Sequence, residues 1–127
     1  MVDYKTGRVL EPDVTITDGN AKKVVDKLFG ESNSNRPEIA LQLYLYDVLS
    51  SSELHLPMDT LLNSVYSTAG LMVEPVRDCE TSPEFLSLME ERLRELLEDL
   101  INPDIPIRRK NDSTTCAMCS YKTLCGK

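Results

Sequence analysis

A chain of 127 residues is long enough for one domain and too short for two, and 41% apolar residues with 6% aromatics and no tryptophan suit a modest core. The balance of 21 acidic against 14 basic residues leaves a net charge of −7, which argues against a generic nucleic-acid binder, whose footprint is basic. No apolar run reaches the roughly 18 to 20 residues that cross a bilayer, and the start lacks the basic-then-apolar layout of a signal peptide, so a soluble cytoplasmic protein without a membrane partner is expected.

Val2-Asp3-Tyr4-Lys5 reads as a short buried strand, and Thr6-Gly7 ends it abruptly. Residues two apart on a strand share a face, which puts the Asp3 carboxylate beside the Lys5 ammonium. A carboxylate can hold Mg²⁺ or Mn²⁺. A neighbouring lysine can orient or deprotonate a water and stabilise charge that develops on a phosphate oxygen. A buried strand that begins at the second residue has no earlier neighbour to pair with, so the chain is expected to be a piece of a larger domain.

Arg8 to Asp18 alternates weakly around Pro12 and reads as a loop or a poor edge strand. Asp18-Gly19-Asn20 looks like a helix start, and Val24, Val25, Leu28 and Phe29 form an apolar stripe that ends at Gly30. Glu31 to Arg36 is polar and unpatterned, a loop. Pro37 suits a first helical turn, and Glu38 to Leu49 is apolar almost all round, which predicts a core helix buried on most of its circumference. Within it Gln42 and Tyr46, four apart, stack on one face and could hydrogen-bond a phosphate or brace a metal-bound carboxylate; the plain alternative is a capped carbonyl and an ordinary core tyrosine. Tyr44 points elsewhere and is assigned to packing.

Ser50 to Asp59 reads as a loop with the single histidine, His55, solvated in it. Ser64 to Thr68 and Leu71 to Val73 read as two strands around an Ala69-Gly70 turn, the second ended by Pro75, and this region is expected to pair with the Asp3 strand. Cys79 reads as an isolated buried thiol. Ser82-Pro83 opens the clearest helix, whose apolar stripe runs Phe85, Met89, Leu93, Leu96, Leu97, Leu100, Ile101 against a charged face, and Asn102-Pro103 stops it. The acids cluster in Glu84 to Asp104, whereas Lys22, Lys23, Lys27 and Arg36 lie nearer the Asp3 strand.

The chain ends in a C-x₂-C-x₅-C pattern, Cys116, Cys119 and Cys125, with Tyr121 between the last two. Two cysteines two apart can clasp one metal or cluster from a tight turn and a third adds a corner, one short of a closed site. Crowding at one end of the chain favours metal binding in a reducing compartment over disulfides.

Asp3-x-Lys5-Thr6-Gly7, then Gln42-x-x-x-Tyr46, then the cysteine tail resemble, in order, the motifs of the PD-(D/E)XK nucleases in their RecB-like, AddB-type branch. The resemblance covers nearly the whole chain and implies an α/β (α+β) fold, a partial restriction-endonuclease-like core with a mixed sheet flanked by helices. Residues 1–110 would be the C-terminal portion of that core and 111–127 an iron-sulfur-staple-like tail. It implies a Mg²⁺- or Mn²⁺-dependent deoxyribonuclease of the exonuclease or helicase-nuclease type that processes DNA ends in repair, with DNA and a helicase subunit or domain as partners. Asp3 and the Tyr4 carbonyl would be metal ligands, Lys5 would position the water, and Gln42 and Tyr46 would brace the site or hold the phosphate. In the family the three tail cysteines join a distant upstream one around a [4Fe-4S] cluster. No cysteine precedes Cys79 here, so zinc, with Cys79 or a water as fourth ligand, or free thiols are the rival states. The family also needs acids on elements before the Asp3 strand, so this piece alone is expected to be inactive and, with an open sheet edge, to self-associate. The competing class is a non-catalytic nuclease-like or zinc-stapled interaction module.

Overall fold

A computed structural model describes residues 1–7, 9, 13–30, 36–70, 76–106 and 116–126. Its elements are β1 (Val2–Lys5), β2 (Thr15–Ile16), α1 (Ala21–Phe29), α2 (Glu38–Leu54), β3 (Asn63–Ser67), β4 (Val76–Thr81) and α3 (Pro83–Ile101). The four strands form one mixed sheet in the order β1-β3-β4-β2. β1 runs parallel to β3, with Asp3 opposite Val65 and Lys5 opposite Ser67, while β3 and β4 are antiparallel. This is the α/β architecture, mixed sheet with helices, that the sequence led us to expect.

β1 pairs with the Ser64 region as expected, but it is an edge strand and not a buried one. Val2 is 52% exposed and Tyr4 73%, while Asp3 and Lys5 are half-buried. Alternation explains it: the opposite residues on β3, Val65 and Ser67, are buried, so one face of the β1–β3 pair is covered and the other is open. On the open face Tyr4 and Tyr66 pair across the strands with ring centroids 5.5 Å apart.

Among the described residues, the weak alternation after Gly7 yields Thr15–Ile16, a two-residue strand parallel to β4. α1 buries Ala21, Val24, Val25 and Leu28 as its stripe requires. α2 departs from expectation twice. It continues through Ser50 to Leu54, where His55 closes it in a left-handed conformation (φ 56) with its N–H donating to the Ser51 carbonyl. The serine-rich end has poor helix propensity but continues a helix already nucleated by packing. It is also buried on one face only, through Ala40, Leu43, Tyr44 and Asp47, with Leu45, Val48 and Leu49 exposed.

β4 lies where no strand was expected, because Arg77-Asp78-Cys79-Glu80-Thr81 carries little apolar signal; its ladder comes from β3 on one side and β2 on the other. The expected strand at Leu71 to Val73 lies outside the described residues, as do the Glu31–Asn35 loop and the 110/111 boundary. In α3 Ser82 caps as predicted, its hydroxyl accepting from Phe85 N–H at 3.2 Å, with Pro83 in the first turn. Its stripe is used only at the start. Phe85 and Met89 are buried with Ile16, α1 and Tyr44, whose ring meets Phe85 edge-on, whereas Leu96, Leu97, Leu100 and Ile101 are exposed. Among the described residues no helix is long and apolar enough to cross a membrane.

Burial therefore ranks the stripe. Met89→Ala should destabilise the fold by about 2–5 kcal/mol, whereas Leu100→Ala should change it by less than about 0.5 kcal/mol. Urea unfolding of the two variants checks the ranking, and equal losses would contradict it.

Candidate active site

Asp3 and Lys5 project from β1 onto the covered face of the sheet, under α2. Lys5 Nζ lies 2.9 Å from Asp3 Oδ2, the two side chains being 24% and 13% exposed. The same ammonium donates to Gln42 Oε1, and Gln42 Nε2 donates to the Tyr46 hydroxyl. Two residues from the start of the chain and two from its middle thus form one continuous polar chain. Asp3, Lys5, Gln42 and Tyr46 are thus brought together, while Tyr4, the other candidate outside the tail, turns its ring to the open face of the sheet.

Each link has a local cause. Spacing of two on β1 places the acid and the lysine side by side, and spacing of four on α2 stacks the amide on the phenol. The end of β1 is tied down as well: Ser67 Oγ donates to the Gly7 carbonyl at 2.9 Å and Thr68 Oγ1 to the Thr6 carbonyl at 3.3 Å. Thr6-Gly7 is thereby held at the end of the ladder, directly after Lys5.

Asp3 Oδ2 is buried and, although ion-paired with Lys5, is not aligned for a hydrogen bond with any group among the described residues. A buried carboxylate oxygen ion-paired with an ammonium still has a lone pair for a hard cation, and a backbone carbonyl such as that of Tyr4 is a donor of the same type. These groups fit a divalent metal but do not complete its shell. No three His, Cys, Asp or Glu side chains among the described residues gather closely enough to hold an ion.

That statement covers the tail too. Cys116, Cys119 and Cys125 sit in a chain of tight turns, with Cys119 N–H donating to the Cys116 carbonyl at 3.3 Å and Tyr121 N–H to Cys119 Sγ at 3.4 Å. The turn is formed, but the three sulfurs do not converge. Cys79 belongs to a different environment, buried on β4 opposite Asn63, and burial with Asp78 nearby pushes its thiol up to about 11.

Sequence reasoning overlooked one acid. Asp47, 3% exposed, accepts from Asn63 Nδ2 at 2.7 Å and ties α2 to β3. Burial raises its carboxyl above the ordinary range, while the Asn63 hydrogen bond and then the Met1 ammonium oppose the rise. An acid in step with the buried Ala40, Leu43 and Tyr44, at spacings of seven, four and three, was the available signal.

A family model describing the PD-(D/E)XK nuclease superfamily matches residues 1–126. The chain belongs to that superfamily. No curated protein and no solved structure shows a significant match to it. Membership makes a metal-dependent nuclease, a hydrolase acting on nucleic acid, the general class of activity, and the mixed sheet with its flanking helices agrees with the restriction-endonuclease-like fold.

Two measurements test this environment. A carboxyl whose folded value is raised gives stability that is present at acid pH, below its unfolded value, and lost as pH rises through the folded one. Asp47→Asn keeps an acceptor for Asn63 and offers a donor to the buried Asn63 Oδ1, which has no hydrogen-bond partner among the described residues. The variant should therefore match the wild type near about pH 3 and exceed it in stability at neutral pH; urea midpoints across pH that never diverge would refute the assignment. Separately, a thiol reagent at pH 8 should label Cys116, Cys119 and Cys125 quickly and Cys79 only on unfolding, which mass spectrometry of quenched samples reads directly.

Proposed function

We propose that this chain carries part of the active site of a Mg²⁺- or Mn²⁺-dependent deoxyribonuclease of the RecB-like, AddB-type branch, acting on DNA ends as an exonuclease or helicase-nuclease in repair. The observation that supports it is the unbroken path from Asp3 through Lys5 and Gln42 to Tyr46. Asp3 and the Tyr4 carbonyl would hold the metal, which when bound supplies Lewis-acid charge at the phosphate. Lys5 has three protons; one engages Gln42 and one faces Asp3, which leaves the third for a water or a phosphate oxygen. Because Gln42 donates to the Tyr46 oxygen, the tyrosine proton is free to donate to a phosphate oxygen in turn.

The remaining acidic ligands would come from outside these 127 residues, in keeping with the lack of a three-ligand cluster among the described ones. The cysteine turn would contribute three ligands to a [4Fe-4S] cluster in the complete protein, with zinc or free thiols as its state in this chain alone. A helicase subunit or domain would be the partner. The outer edge of β1, with Val2 and Tyr4 exposed, would favour self-association of the isolated chain. The alternative, a non-catalytic interaction module, is favoured by the same incomplete ligand set and by the net charge of −7.

The 127-residue chain should show no Mg²⁺-dependent DNA cleavage. In a longer protein containing it, Lys5→Ala or Asp3→Ala should lower DNA degradation by about 100-fold or more, and Gln42→Ala by about 10- to 100-fold. Cleavage by the short chain that Lys5→Ala abolishes would overturn the incomplete-site reading. Unchanged rates in Lys5→Ala of the longer protein would overturn the nuclease assignment of this site. Metal analysis and a visible spectrum of the longer protein, purified anaerobically, separate the tail states: about four irons with brown colour mark the cluster, and about one zinc without colour favours the module.

A further inference from the structure

We propose that the C-terminal half of α3 is a docking site for a basic amphipathic helix of a protein partner. From Arg94 to Pro106 every residue is exposed, although this stretch carries Leu96, Leu97, Leu100 and Ile101 at 51% to 78% exposure. A helical arm that shows four large aliphatic side chains on neighbouring positions three and four apart is an unfilled packing surface. Its local supports are weak, since the ion pairs Arg94–Glu90 and Arg92–Glu95 are on the surface.

Two clefts lie beside this stripe, and Leu96 belongs to both the stripe and the first of them. Phe29, Arg92, Glu95, Leu96 and Asp99 line one cleft of about 190 Å³, and Asp99, Asp104, Ile105 and Pro106 line another of about 480 Å³. Asp99 borders both. In the first cleft the Arg92 guanidinium lies 5.8 Å from the centre of the Phe29 ring and is ion-paired with Glu95, which leaves no uncompensated cation there.

Charge identifies the occupant. Residues 95–106 hold Glu95, Glu98, Asp99 and Asp104 and no lysine or arginine. No basic residue stands in the last turn of α3 to offset the negative end of the helix dipole. An exposed aliphatic stripe beside acid-lined clefts at a helix C-terminus calls for an apolar stripe flanked by lysine or arginine, laid in as a helix. A second copy of this arm would oppose acid to acid, and DNA would be repelled.

The probe is a synthetic helical peptide of leucine and lysine with a seven-residue apolar repeat, labelled for fluorescence anisotropy. It should bind the chain at about micromolar concentration in low salt, while a leucine–glutamate peptide of the same pattern should not. Leu100→Ser and Asp99→Lys should each weaken binding at least about tenfold, and Glu53→Lys, the same charge change at the end of α2, by less than about threefold. Both Leu100 and Asp99 are exposed, and circular dichroism confirms that the variants fold. Equal weakening by Glu53→Lys, or equal binding of the glutamate peptide, would overturn the proposal. So would sedimentation of the wild type that rises with concentration and is abolished by Leu100→Ser, which would make a second copy the occupant.

Discussion

The parallel pairing of β1 with β3 is the constraint on which the site depends. Two parallel neighbours need a crossover of a dozen residues or more, and here everything between Thr6 and Leu62, α1 and α2 included, serves as that connection. The crossover returns the chain so that α2 lies over the face onto which Asp3 and Lys5 project. Leu43 shares a buried cluster with Val65, the β3 residue opposite Asp3, and so helps seat α2 over this face, where Gln42 meets Lys5. The amide then reaches the ammonium because packing has already placed the helix.

A second tie fixes the same helix from another direction. The buried Asp47–Asn63 hydrogen bond joins α2 to the start of β3, one helical turn beyond Leu43. A buried carboxylate is costly without a donor, so rotation of α2 that separated the pair would leave both groups unsatisfied in the interior. The rotational setting that satisfies Asp47 also turns Gln42 and Tyr46 toward β1. Stability and site geometry share one solution.

Charge is divided along the molecule in a way that composition conceals. The net −7 weighs against a nucleic-acid role when averaged over the chain, but much of the acid lies on α3, whose outer half stands clear of the core. The site's own lysine sits at the opposite end of the chain, paired and half-buried. The acidic arm and the Asp3–Lys5 pair therefore lie on different elements, and the superfamily membership does not conflict with the overall charge.

Spacing within single elements was legible from residues alone: Asp3 beside Lys5, Gln42 under Tyr46, Ser82 as the cap of α3, the stripe of α1. Each depends on a local period of two or of 3.6 and on backbone chemistry that needs no distant partner. Only the tertiary structure decided that β1 is an edge with one wet face, that α2 is covered on one side, that Val76–Thr81 is a strand and that the stripe of α3 is buried at Phe85 and Met89 and bare beyond Leu93. Burial depends on which element arrives to cover a face, and an apolar pattern states that a face could be covered without naming what covers it. The joining of Lys5 to Gln42 is of the same kind, a contact across 37 positions that exists because parallel strands and a packed helix bring both ends to one place.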